Sequence, residues 1–321
     1  MAKRKMPPYK NKKLLSTVLS ALLVLLALAI YYGPELEAVF REPTPPSAPA
    51  EAVDCEAAVY FLDVGQGDSA LIRIGEDFAM LVDAGIRESG DAIEEDLAAL
   101  GVTELDAVIA THPHADHIGA MTQIIEAYPI GTFYMPVLPD DQTPTTATYE
   151  NMLDALDKQN VPVEQITDKT EIAAPENAVF DVLSPRAGDA FDEVNDYSAV
   201  VRFTYGSVSF MLTGDAEEPV EENILESGAE ISAQVLKCGH HGSSSSTSLP
   251  FLRRVNPAVA VISCGADNKY GHPHRETLES LNALGCTVLR TDELGTIVVT
   301  TDGEAYAVHT WSEENGLQPA A

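Results

Sequence analysis

The chain reads as α+β, a four-layer αβ/βα sandwich of two facing sheets with helices outside, preceded by one membrane-spanning helix. Three observations predict this. Short apolar runs alternate with helical segments from residue 57 to residue 309, the order that builds layered sheets. Histidines and aspartates stand where several of those runs end, as in His112, Asp215 and His240. An apolar run of membrane-spanning length follows a basic N-terminus.

Residues 1–13 carry Lys3, Arg4, Lys5, Lys10, Lys12 and Lys13, and residues 14–32 are apolar apart from Ser16, Thr17 and Ser20. About 20 such residues span a bilayer as a helix, and the basic flank predicts a cytoplasmic N-terminus. The chain is therefore expected in the cell membrane as a single-pass protein, with its C-terminal domain outside the cytoplasm. A cleaved signal peptide is the alternative. Residues 33–52, with Pro43-Thr-Pro-Pro-Ser-Ala-Pro-Ala50, are expected to be an extended spacer.

A folded domain is expected over residues 53–312, with 313–321 as a tail. Val59 to Leu62, Ser69 to Ile74 and Phe78 to Val82 read as strands, and the glycine-bearing turn 63–68 joins the first two. Asp91 to Leu100 has helical periodicity and is stopped by Gly101. Ala107 to Ala110 is a buried strand leading into His112, and a helix is expected from Ile118 to Tyr128. Further helices are expected at Thr148 to Gln159, Glu217 to Glu226 and Pro273 to Leu284. Strands are expected at 179–183, 200–205, 208–212, 233–237, 258–263, 287–289, 297–301 and 305–309.

The 321 residues carry a formal charge of −31, and beyond residue 13 the balance is 13 basic against 50 acidic. Such acidity repels polyanions at long range, so bulk charge disfavours nucleic acid. The four cysteines, Cys55, Cys238, Cys264 and Cys286, have no metal-knuckle spacing. Cys238 and Cys264 each end a strand, and could pair in a disulfide or simply be buried.

Thr111-His-Pro-His-Ala-Asp-His-Ile-Gly119 crowds His112, His114, Asp116 and His117 into six positions. That is too dense for one chain segment to wrap a single ion tetrahedrally, and two neighbouring ions suit it better. Imidazole and carboxylate are the ligands of zinc or another borderline divalent metal.

Together with Asp83 in Leu-Val-Asp-Ala-Gly and with Gly214-Asp215, this HxHxDH pattern resembles the metallo-β-lactamase superfamily. Phe61-Leu-Asp-Val-Gly-Gln-Gly-Asp-Ser69, Leu212-Thr-Gly-Asp215, Leu236-Lys-Cys-Gly-His-His-Gly-Ser243 and Tyr270-Gly-His-Pro-His274 resemble the hydrolase domain of the competence DNA-uptake protein ComEC. The resemblance runs from residue 57 to residue 301. It does not include the many-helix channel or the small β-barrel of those proteins.

The resemblance implies two divalent metal ions: His112 and His114 on the first, Asp116, His117 and His240 on the second, and Asp215 bridging. A third histidine for the first metal has no counterpart between His117 and Asp215, where Asn195-Asp196-Tyr197-Ser198 stands instead. Asp196 or Asn195 is then a candidate oxygen ligand, which would favour manganese over zinc. His272 and His241, with Lys237 and Ser243, are candidates to orient substrate or protonate a leaving group. Asp68 is expected to approach the site from its glycine turn, and Asp83 to fix the metal loop by hydrogen bonds. His309 is read as no ligand.

Two such ions about 3.5–4 Å apart suit phosphoryl hydrolysis. The implied activity is a metal-dependent phosphodiesterase, with DNA among its candidate substrates. Phosphodiesters of envelope polymers or phosphocholine-type esters are the rival substrates, and a binding module that keeps the fold without catalysis is the rival class. A nuclease should carry basic residues beside the metals, for which Lys237, Arg253, Arg254, Lys269, Arg275 and Arg290 are available.

Overall fold

The computed structural model describes residues 47–50 and 53–320. The basic tail, the apolar run 14–32 and the spacer up to residue 46 lie outside the described residues. Among the described residues no helix is long and apolar enough to cross a membrane.

The first half contains β1 (Ala57–Phe61), β2 (Ala70–Ile74), β3 (Phe78–Val82), α1 (Gly90–Ala99), β4 (Leu105–Ile109), α2 (Ala115–Ile118), α3 (Met121–Ala127), β5 (Ile130–Met135), α4 (Ala147–Gln159) and β6 (Val163–Gln165). The second half has β7 (Ala178–Ser184), β8 (Val200–Tyr205), β9 (Val208–Leu212), α5 (Glu218–Ser227), β10 (Val235–Lys237), α6 (Leu249–Val255), β11 (Val259–Ile262), α7 (Arg275–Ala283), β12 (Thr287–Arg290) and α8 (Thr291–Leu294). The chain then returns as β13 (Thr296–Thr301), β14 (Tyr306–Ser312) and β15 (Gly316–Pro319).

One sheet has the order β15-β14-β13-β1-β2-β3-β4-β5-β6, and the other β12-β11-β10-β9-β8-β7. Side-chain alternation sorts the residues into layers. Ile72, Met80, Ile109, Phe203, Phe210 and Val261 point between the sheets. Leu71, Leu81 and Val108 point outward onto Ile93, Leu97, Met121 and Met152 of the helices. On the other side Met211, Leu236 and Ala260 meet Val220, Phe251 and Leu281. The expected α+β sandwich of two sheets is therefore present.

Parallel pairing sets the site's location. Val82 lies beside Ile109, Leu212 beside Lys237, and Lys237 beside Val261. The loops leaving β3, β4, β9, β10 and β11 thus emerge level with one another, at the strand ends where α/β sheets gather ligands.

Several expectations change. The single helix expected at 118–128 is two, α2 and α3, broken at Gly119. A Cβ there would come within 2.4 Å of both the Ala115 oxygen and the Arg87 nitrogen, and the Gly119 N–H donates to the Gly85 oxygen at 2.8 Å. A Cβ at Gly67 would lie 2.5 Å from the Asp116 oxygen. These two glycines press the metal loop against the turns after β1 and β3, which an uninterrupted helix would not allow.

The segment after residue 312, expected as a tail, includes β15, which pairs antiparallel with β14. β5, β6 and α6 were not foreseen; β6 is exposed throughout and α6 is only seven residues long. All four cysteines are free, and Cys238, Cys264 and Cys286 are buried, as small apolar side chains. His309 sits on β14 and bonds Thr300 Oγ1 at 3.1 Å.

Candidate metal centre

The centre is built around Asp215, on the tight turn that follows β9. Its side chain is 3% exposed, and its N–H donates to Ser198 Oγ at 3.1 Å. Four imidazole Nε2 atoms approach its carboxylate. His117 lies 3.2 Å from Oδ1, and His241, His112 and His240 lie 3.6, 3.8 and 3.8 Å from Oδ2.

The other ring nitrogen of each histidine is tethered, which turns Nε2 inward. His117 Nδ1 is 2.7 Å from Asp83 Oδ2, and His241 Nδ1 is 3.0 Å from the Ser263 oxygen. His112 Nδ1 lies 3.2 Å from Thr111 Oγ1 and 3.3 Å from Ser198 Oγ, while His240 Nδ1 is 2.9 Å from Glu217 Oε1. Asp83 also accepts from the Thr111 N–H and hydroxyl, at 2.8 and 2.7 Å. It thereby ties the loop and His117 together.

Asp68, His117, Asp215 and His241 are all buried, and one ligand atom from each lies within 4.8 Å of the others. Asp68 Oδ1 and His241 Nε2 find no hydrogen-bond partner, and His117 Nε2 and Asp215 Oδ1 face only each other, at 3.2 Å. Each such buried orphan costs about 1–3 kcal/mol, and all four converge on one point. A divalent cation would satisfy them together, so the residues fit a metal ion.

The electrostatics agree. Burial favours neutral Asp215, but His117, His241 and His112 outweigh it and hold the carboxyl well below its usual range. Burial also opposes charge on His117 and His241, yet Asp215 with Asp83 raises the first, and Asp215 with Asp68 raises the second. His112 is driven well down by burial and by His117, and His114 is lowered by burial. Asp116 is held low despite burial, by His241 and His117. Strong mutual perturbation of this kind is common at functional sites.

The structure distributes the expected residues differently in places. His241, not His240, joins the buried group, and its Nε2 is 3.4 Å from Asp116 Oδ2. His240 is 25% exposed at the rim. Both have positive φ, 47° and 54°, and these consecutive left-handed residues send the two rings in different directions. Such strained conformations cluster at active sites.

His112 and His114 stand together, Nε2 to Nδ1 at 3.0 Å, beside the buried group rather than in it. Asn195 donates to Glu217 Oε1 at 3.1 Å and leaves its Oδ1 unpaired. Asp196 instead accepts the Glu217 N–H at 3.3 Å, and burial raises it to about 6. It thereby holds the start of the segment leading into α5.

Lys237 does not reach a substrate. It is buried, ion-paired with Asp68, and 3.5 Å from the Gly214 oxygen. Burial lowers its pKa, but Asp68 and Asp215 outweigh that and keep it cationic. Breaking such a pair typically costs about 3–5 kcal/mol, so the lysine holds Asp68 in position. Ser243 bonds Ser245 Oγ at 2.9 Å and knits its own loop. His272 meets His240 edge-on and stacks on His241, with ring centroids 5.4 and 6.1 Å away. Burial and His241 lower its pKa to about 4.

Glu217 escaped the sequence reading although it ties His240 to Asn195.

The fold, the HxHxDH loop at a strand exit and the buried Asp215 hub together define a metallo-hydrolase scaffold. The Metallo-beta-lactamase superfamily model matches residues 62–266, and the chain belongs to that superfamily. It is similar to ComE operon protein 3 of Bacillus subtilis, 32% identical over 263 residues, covering 75% of this chain and 33% of the relative. It is also 30% identical to competence protein ComA of Neisseria gonorrhoeae over 250 residues, covering 78% of this chain and 33% of that protein. The chain thus spans about a third of the length of both relatives. Among solved structures, Igni18, a metallo hydrolase from Ignicoccus hospitalis, aligns with a TM-score of 0.49 and 14% identity, covering 76% of this chain and all of that one.

The buried geometry predicts that His241→Ala weakens zinc or manganese binding more than His240→Ala does. Asp83→Asn should weaken it roughly 10–100-fold by loosening His117. Calorimetric titration of the full chain measures all three, and a larger loss in His240→Ala would contradict the assignment.

Proposed function

We propose that this chain is a metal-dependent phosphodiesterase acting on nucleic-acid strands outside the cytoplasm. The observation that carries the reading is the cluster of orphaned Asp and His atoms, next to which Asp116 lines a cleft together with Arg87 and Lys269. Asp68, Asp116, His117, Asp215 and His241 would hold one ion, and His112 and His114, with Asn195 near, a second that shares Asp215. Divalent ions there would supply Lewis acidity toward water and toward phosphoryl oxygens.

The protein's own groups do the rest. His114 and Asp116 form the mouth, the latter 28% exposed, so a substrate approaches over them. His272 lies among three other imidazoles, His240, His241 and His274. Held neutral at pH 7, it is suited to donate a hydrogen bond to a phosphoryl oxygen rather than to deliver a proton to a leaving group.

Net charge does not decide against a nucleic acid. Exposed charges are screened beyond about 8 Å at physiological ionic strength, so the cleft's own groups, Arg87 and Lys269 beside Glu88 and Asp116, matter more there than acids elsewhere on the surface. Similarity to competence proteins supports the same substrate. The acidic surface favours smaller phosphodiesters over long duplexes, and keeps envelope-polymer or phosphocholine-type esters as the second reading. A binding module without catalysis would have no use for strained His240 and His241.

The full chain should hydrolyse bis-nitrophenyl phosphate with manganese or zinc and lose that activity in chelator. His272→Ala should slow this ester and a dinucleotide alike, roughly 10²- to 10³-fold for a lost oxyanion donor, with metal content unchanged. A defect confined to the dinucleotide, whose leaving group is poor, would make His272 the proton donor instead.

We further infer that residues 14–32 anchor the chain, with the basic N-terminus in the cytoplasm. Protease added to intact cells should then remove the folded domain. Protection until lysis would reverse this orientation.

A further inference from the structure

Beside Asp116 lies a cleft of about 490 Å³ that also touches Arg87, Lys269 and Tyr270, within the size range of sites for one small ligand. Tyr270 is 52% exposed, the only aromatic among the strongly exposed large apolar side chains of the described residues. An open ring beside a phosphodiester site calls for an explanation. Its loop is well braced. Asn268 Nδ2 donates to the Gly265 and His272 oxygens at 2.9 and 2.6 Å, and its Oδ1 accepts from the His272 and Tyr270 N–H groups at 3.0 and 3.2 Å. The Gly265 N–H in turn donates to Gln66 Oε1 at 3.0 Å.

Tyr270 stacks on His272 at 22°, with centroids 5.6 Å apart, which links the outer ring to the imidazoles around Asp215. Lys269 Nζ lies 4.9 Å from the Tyr270 centroid. Arg87 and Lys269 are exposed and have no carboxylate partner among the described residues, although Glu88 also lines the cleft. An exposed lysine–aromatic contact is weaker than base–aromatic stacking. A nucleobase can therefore take the ammonium's place on the ring and leave Lys269 free for a phosphate.

We propose that Tyr270 is a stacking platform for one unpaired nucleotide of the substrate strand, with Lys269 and Arg87 contacting its phosphates. This rests on the reading of the chain as a phosphodiesterase of nucleic acid. The site selects for unpaired bases, because a duplex keeps its base faces within its own stack, and it tolerates any base, because every base has a π face.

The test is fluorescence anisotropy on the full chain in chelator, comparing a short labelled oligothymidylate with an abasic strand of equal length. The wild type should bind the oligothymidylate roughly 5- to 150-fold more tightly, the range of one stacked base. Tyr270→Ala should bring it down to the abasic affinity, and Tyr270→Phe should keep the preference. Equal binding of the two strands by the wild type, binding of neither, or a preference surviving in Tyr270→Ala would overturn the proposal. Failure of the wild type to cleave bis-nitrophenyl phosphate despite a Tyr270-dependent base preference would instead overturn the phosphodiesterase reading and leave the subsite standing.

Discussion

The carboxylate of Asp215, almost without solvent and approached by four imidazoles, is the constraint to which the rest of the site answers. Burying so many polar groups without partners would cost several kcal/mol. The scaffold limits that cost by tethering each histidine on its far nitrogen and by setting Lys237 against Asp68. What remains unsatisfied is a set of inward atoms with one common centre. The glycine contacts at 67 and 119 serve the same end, since they bring three separate turns close enough for their side chains to converge.

Much of this was legible in the chain. β8 and β9 begin and end where the runs 200–205 and 208–212 do, because Val201, Phe203 and Tyr205 alternate with Arg202 and Thr204 along the first and Gly206, at positive φ, turns the chain before the second. The HxHxDH loop was legible because so many ligand types in six positions have few bland uses. Other features depend on tertiary packing that periodicity does not encode. Which of His240 and His241 turns inward follows from two left-handed residues in succession, a conformation that neither side chain announces. Lys237 was a candidate to orient substrate, and only the sheet-to-sheet packing shows that it is buried against Asp68. β15 pairs by backbone alone at an edge with mostly exposed side chains, so its sequence carries no apolar pattern to read.

The division of labour among the two sheets also explains why one chain segment could not build the site. Ligands come from loops after β4, β9 and β10, while Asp68 comes from the turn after β1 and Asp83 from the end of β3. Rigid, level strand ends hold those loops in register, whereas the outer cleft is formed by loops with more exposed side chains. An ion would thus be held by the core, while the proposed substrate contacts lie at the rim.

The account depends most directly on Asp215 binding metal in common with the histidines on both sides of it. Elemental analysis of the full chain after saturation and gel filtration tests this. The account predicts two zinc or manganese ions per chain in the wild type, and loss of both in Asp215→Ala while circular dichroism stays native. A wild type that retains no ion, or an Asp215→Ala chain that keeps its full complement, would contradict it.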